Sequence, residues 1–212
     1  MDKIEESPAR PATANERGRP RTFDPDTALD RALEVFWRDG FQGASLSELT
    51  RAMGISKPSL YAAYGDKEAL YLRALERYGA VAQERAAAVL DTQPDARQAI
   101  NEYLRVSARS LVDPALPGGC FIVNGTADCG TAATPKGVDC ALSRAMQATQ
   151  ARLRIRLVRA QEDGHFPRDR SADEMAAFYC TVLVGMAVLA KGGAGLGQLE
   201  AAVRVAMAAW PG

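Results

Sequence analysis

ASLSELTRAMGISKPSLYAAYGDKEAL, residues 44–70, decides the fold. Ser45, with Glu48 three residues on, is a capping box. It opens a helix whose Leu46, Leu49, Ala52 and Met53 form one apolar face. Gly54 supplies a tight turn. Ser56 caps a second short helix that runs to about Tyr64 with Leu60 facing inward. Gly65 and Asp66 break and recap the chain, and Lys67 opens a long helix. Two short helices around a glycine turn, the second polar and basic at its front and apolar behind, predict a helix-turn-helix. The exposed front of the second helix is Lys57, Pro58, Ser59 and Tyr61. Ser45 and Ser47 begin the first helix, where free N–H groups and the helix dipole attract phosphate. Tyr64 and Lys67, at the far end, offer a phenol and an ammonium to the DNA backbone.

Upstream, Asp24-Pro25 reads as an N-cap followed by proline at the first helical position. The helix it opens runs to about Asp39, and Gly40 ends it. Residues 1–22 are polar and rich in Pro, Arg and Glu, so they read as a disordered basic arm. Arg17, Arg19 and Arg21 in this arm suit a minor groove or the phosphate backbone.

Downstream, helical periodicity predicts helices over 67–90, 95–112, 136–162, 171–191 and 198–210, with a short apolar piece at 120–127. No strand and no internal repeat is evident. The expected fold is all-α with about nine helices. It comprises a helix-turn-helix domain over 23–68 and an effector-binding and dimerisation domain over 69–212.

Net charge is zero and the isoelectric point is about 6.6, which excludes a protein coated in basic charge. Local charge on one face still decides the field there. No run of about eighteen apolar residues occurs, so no membrane-spanning helix is expected. The N-terminus lacks the apolar core of a secretory signal. A cytoplasmic protein without membrane partners is expected, its four cysteines reduced. The one histidine, His165, reads as a surface turn residue and argues against histidine-based catalysis and multi-histidine metal sites. No pair of cysteines has CxxC spacing. No catalytic residue, metal or cofactor is expected; a helical enzyme using an apolar cavity is the remote alternative. The glycine-rich segment 192–197 lacks a preceding strand and a following Lys-Ser/Thr, so it reads as a connector. Arg152, Arg156 and Arg159 share a helix face that reads as solvated.

Residues 84–190 are expected to enclose an effector pocket. Tyr103, Phe121, Met146 and Tyr179 are candidate lining residues. Cys120 and Asn124 bracket an apolar run in which a buried amide needs a partner or a ligand. A rival trigger is thiol chemistry at Cys120, Cys129 or Cys140, which lie in a loop-rich stretch. The helix at 174–190 carries more apolar positions than one core face consumes, so a partner helix is expected. The candidate dimer interface is Phe178, Val182, Gly185, Met186 and Leu189, with Val203, Met207 and Trp210 of the last helix.

Residues Phe23 to about Leu72 resemble the N-terminal domain of the TetR/AcrR family of transcriptional repressors. The match rests on ALDRALEVFWRDGF followed by SLSELTRAMGISKPSLYAAYGDKEAL. Gly40-Phe41, Gly54-Ile55-Ser56, Leu60-Tyr61, Tyr64 and Lys67-Glu68 fall on the family's most typical positions. Ala44 stands where Thr is frequent, and Ala62-Ala63 replace an often bulky pair. The resemblance implies that the positions of Ser45, Ser47, Lys57, Pro58, Ser59, Tyr61, Tyr64 and Lys67 face DNA. It also implies a variable domain for an unidentified small-molecule effector, a homodimer built on the last two long helices, and a palindromic operator in double-stranded DNA.

Overall fold

A computed structural model of the chain describes residues 23–211. The arm at 1–22, with Arg19 and Arg21, lies outside them. The described residues form nine α-helices and one 3-10 turn, with no strand. In chain order these are α1 (Pro25–Gly43), α2 (Leu46–Met53), α3 (Lys57–Tyr64), α4 (Lys67–Leu90) and α5 (Ala96–Leu111). After them come α6 (Phe121–Gly125) with the turn Thr126–Asp128, α7 (Lys136–Glu162), α8 (Ala172–Lys191) and α9 (Leu196–Met207).

Local chemistry sets most helix ends. Asp24 accepts the N–H of Asp26 at 3.1 Å and caps α1. Gly40, at φ 73°, breaks the helical path where a stop is expected, although α1 resumes to Gly43. Ser45 and Glu48 complete the capping box at the start of α2: the Ser45 hydroxyl accepts the Glu48 N–H, and the Glu48 carboxylate accepts the Ser45 N–H. Gly54 takes the left-handed conformation (φ 68°, ψ 31°) that lets α2 turn into α3. Ser171 accepts the N–H of Glu174, but only this half of the expected box forms. The last helix starts at Leu196 behind Gly195 and stops at Met207, three residues short of the expected end.

Two buried clusters organise the packing. One joins α1, α2, α3 and the first half of α4 to Phe121, Ile122, Val138 and Leu142. The other joins the end of α4 with α5, α7, α8 and α9. The expected domain boundary between 68 and 69 falls in the first turn of α4, and that helix serves both clusters.

The first of these clusters has an aromatic centre. Phe36 and Trp37 of α1 meet Tyr71 and Tyr78 of α4 edge-on, with ring centroids 5.0 and 4.9 Å apart. Phe121 of α6 lies 5.2 Å from Tyr71 and 5.6 Å from Tyr78. The Trp37 indole N–H donates to the Gly118 carbonyl at 3.1 Å, pinning α1 to the loop before α6. Gly125 must lack a side chain, because a Cβ there would stand 2.6 Å from the buried Tyr71 hydroxyl.

One expectation about α7 changes. Arg156 is buried at 4% exposure instead of solvated; it donates to the Gln93 and Pro94 carbonyls at 3.0 Å each. It thereby supplies partners for backbone groups of the α4–α5 connection that burial would leave empty. Helix α8 is long and apolar enough, by length and composition alone, to cross a membrane. Here it packs against α5, α7 and α9, and its apolar character is divided between core and surface.

Candidate nucleic-acid interface and effector cavity

Helix α3 is held as an exposed ridge. Leu60 is fully buried beneath it, while Tyr61 remains 47% exposed. Ser56 caps the helix by accepting the Ser59 N–H at 3.2 Å, and the two hydroxyls share a 2.8 Å hydrogen bond. Lys57 and Pro58 are exposed on the first turn and Ser59 is half-buried. Ser47 is exposed on α2. Ser45 is exposed as well, but its hydroxyl is engaged with Glu48.

Two expected phosphate contacts are placed differently. Tyr64 is buried, and its hydroxyl donates to the Pro25 carbonyl at 2.7 Å, tying the end of α3 to the start of α1. Its phenol therefore serves the packing of the domain. The Lys67 ammonium lies 4.7 Å from the Phe41 ring centroid, and partial burial lowers its pKa. That geometry keeps the charge at the N-terminus of α4 over an aromatic face. Arg51, exposed in the last turn of α2 beside this surface, is a cation the sequence reading passed over.

The larger cavity, about 140 Å³, lies among α4, α5, α6, α7 and α8. Of the six expected lining residues, Tyr103, Cys120 and Met146 contribute to its wall. The other three do not. Phe121 belongs to the aromatic centre of the first cluster. Asn124 faces back to the Gly118 carbonyl, to which its half-buried amide donates at 3.2 Å, tying down the loop. Tyr179 is wholly buried in the C-terminal cluster, and its neighbour Cys180 reaches the cavity instead. The wall also includes Tyr78, Val81 and Arg85 of α4. Their spacing of three and four residues was a readable signal for a second face of that helix.

The Tyr78 hydroxyl donates to the Cys120 sulfur at 3.3 Å. Burial raises the pKa of Tyr78, and that of Tyr103 to about 12, so both phenols stay neutral at physiological pH. Burial raises the pKa of Cys180. Burial, reinforced by Asp139 and Asp128, raises that of Cys129. Both shifts disfavour the reactive thiolate. Cys140 is exposed.

The outer face of α8 presents Phe178, Gly185, Val188 and Leu189, with exposures of 39% at Phe178 and 58% at Val188; Val205 of α9 is 75% exposed. Val182 is half-buried. Met186, Val203 and Met207, expected at a partner surface, are buried in their own subunit's core. Trp210 is half-buried, its ring 5.2 Å from Phe166. Because α8 is apolar nearly all round, periodicity alone did not separate its inner from its outer face.

Residues 28–74 match the family model "Bacterial regulatory proteins, tetR family", and residues 96–210 match "Tetracyclin repressor-like, C-terminal domain". The chain belongs to the TetR family. Along almost its whole length it is similar to the HTH-type transcriptional repressor ComR of Escherichia coli (strain K12): 31% identity over 197 residues, 92% of each chain. It is also similar to a solved structure of the TetR family transcriptional regulator CifR. That structure, a cysteine-substituted variant in complex with 26-base-pair double-strand operator DNA, gives a TM-score of 0.86 at 42% identity. The match covers 92% of this chain and all of that one. Escherichia coli NemR in its reduced form shares the fold, with a TM-score of 0.76 at 22% identity over 85% of this chain and 93% of that one. As a TetR family member the chain is a DNA-binding transcriptional regulator, and its relatives are regulators rather than enzymes.

Proposed function

We propose that this protein is a cytoplasmic homodimeric repressor, released from a palindromic operator when a small molecule fills the α4–α8 cavity. One observation carries the reading. Helix α4 is shared: Leu70, Tyr71 and Leu75 brace the helix-turn-helix, and Tyr78, Val81 and Arg85 wall the cavity. A ligand that wedges the second half of α4 tilts the first half. Two recognition helices in a dimer must sit about 34–36 Å apart, or a multiple of it, to read successive turns of DNA. A tilt of α4 changes that separation. Lys57, Pro58, Ser59 and Tyr61 of α3 and Ser47 of α2 carry the DNA contact, with Ser45, Lys67, Arg19 and Arg21 at its margins. The described face of Phe178, Val182, Gly185, Val188, Leu189 and Val205 forms the dimer contact. The CifR complex with operator DNA supports the partner by similarity.

The scheme is tested by linkage. Operator and effector must weaken each other's binding by the same factor, about 5–150-fold for typical allosteric coupling. The measurement is effector affinity by calorimetry with and without DNA from upstream of the protein's own gene. Equal affinities would remove the mechanism.

A second reading is favoured by the placement of Cys120. Its sulfur is in the cavity wall and is engaged by the Tyr78 hydroxyl, so a soft electrophile that enters the cavity meets a nucleophile there. On this reading Cys120→Ser abolishes operator release by quinone or peroxide, and Cys140→Ser leaves it intact. Mobility shift after each treatment separates the outcomes. Release that survives in Cys120→Ser ends the thiol reading.

A further inference from the structure

We infer that the effector is a compact organic acid, with an apolar body inside the cavity and a carboxylate or similar anion held at its rim by Arg85. This rests on the cavity being the effector site, as proposed above, and adds the chemistry of the occupant.

Size is the first constraint. A cavity of about 150 Å³ lined by aliphatic and aromatic side chains accommodates a molecule about as large as benzene. The main chamber here is about 140 Å³. A side chamber of about 60 Å³ adjoins it, sharing Ala82, Tyr103, Ile122 and Thr149 with the main wall. Together they take an aromatic ring or a short acyl chain with a head group.

Charge is the second constraint. The wall of the main chamber contains no aspartate or glutamate, and its one formally charged residue is the exposed Arg85; the side chamber adds Arg152, which is paired with Asp91. Some arginines of the described residues are matched with carboxylates, as Arg77 is with Asp30 and Arg152 with Asp91. Arg85 is in no such pair among the described residues. Its guanidinium donates to the neutral hydroxyl of Ser110 at 3.0 Å. The remaining N–H donors suit a carboxylate, which takes two parallel hydrogen bonds from an arginine. A cationic ligand would face Arg85 with no acidic wall residue to offset it. The neutral phenols of Tyr78 and Tyr103 do not repel an anion.

The remaining wall sets the body. Val81, Val106, Ile122, Val123, Leu183 and Val184 present aliphatic carbon. They stabilise hydrocarbon through burial, and the Ser107 and Thr149 hydroxyls of the same wall already donate to backbone carbonyls of their own helices.

The test uses the full chain and matched probes: hexanoate, octanoate and benzoate against the corresponding alcohols and amines. Carboxylates at about tenfold excess over Kd should raise Tm by about 3–6 °C. The same carboxylates should displace operator DNA in fluorescence anisotropy, and the amines should do neither. Arg85→Met should weaken carboxylate binding about tenfold and leave alcohol binding unchanged, the latter showing that the variant is folded. The inference is overturned if amines stabilise as well as carboxylates, if Arg85→Met keeps the carboxylate preference, or if no carboxylate shifts Tm. Failure of the ligand-free protein to bind operator would instead overturn the repressor reading, and the melting series would still report on the cavity.

Discussion

Tyr61→Ala is expected to weaken operator binding about thirtyfold or more while leaving the melting temperature and the dimer unchanged. The side chain is 47% exposed on the second turn of α3, and the fully buried Leu60 beside it anchors the helix. Removing the phenol therefore deletes surface from the DNA-facing ridge without opening the core. A side chain that touches a base edge contributes about 1–3 kcal/mol, and a two-fold dimer loses it twice, so about 2 kcal/mol is the lower bound. Lys57→Ala behaves differently. A lysine on phosphate acts through counterion release, at about 0.9 in the log–log salt slope per contact. Its loss from both subunits should flatten that slope by about two and weaken binding to all sequences alike. Anisotropy titrations over a range of salt, on operator and on unrelated DNA, distinguish the two variants. If Tyr61→Ala binds as tightly as the parent, α3 is not the reading element.

The difference between those side chains and Tyr64 shows what the sequence could convey. Each helix cap expected from the sequence, at Asp24, Ser45, Ser56, Asp66 and Ser171, depends on a side chain meeting a backbone N–H two or three residues away. Such contacts are written in local order. Tyr64 was read from its position at the end of α3, but its hydroxyl is claimed by a carbonyl 39 residues away. Arg156 likewise answers to carbonyls 62 and 63 residues distant. Long-range partners of this kind leave no periodic trace. The effector site fell between the two cases. Tyr103, Cys120 and Met146 were found because aromatic and soft side chains stand out in an otherwise aliphatic domain. Arg85 and Tyr78 carry no such signal, because the two halves of α4 serve different clusters and its periodicity does not divide them.

Val188→Asp is expected to convert the dimer into a monomer and to remove high-affinity operator binding. Val188 is 58% exposed on α8, in line with Phe178, Thr181 and Gly185 at helical spacing. A single folded subunit tolerates a carboxylate there because water solvates it. In a two-fold dimer the same face meets its own copy, so each substitution acts twice. Each buried carboxylate without a cationic partner costs several kcal/mol. The described neighbours on this face are apolar or small, apart from Lys191 one turn on, whose ammonium donates to the Arg38 carbonyl at 3.5 Å. A monomer holds one recognition helix and loses the advantage of engaging two half-sites on one molecule, which typically amounts to about a hundredfold or more in affinity. Sedimentation velocity should show half the parent mass, circular dichroism should be unchanged, and operator affinity should fall to the level of non-specific DNA. Met186 sharpens the comparison, because it lies two residues away but is buried at 1% exposure. Truncating Met186 would act through the subunit's own core and lower its melting temperature, whereas Val188→Asp acts only when two copies meet. A Val188→Asp protein that stays dimeric would move the interface off α8 and would also remove the basis for linking α4 tilt to half-site spacing.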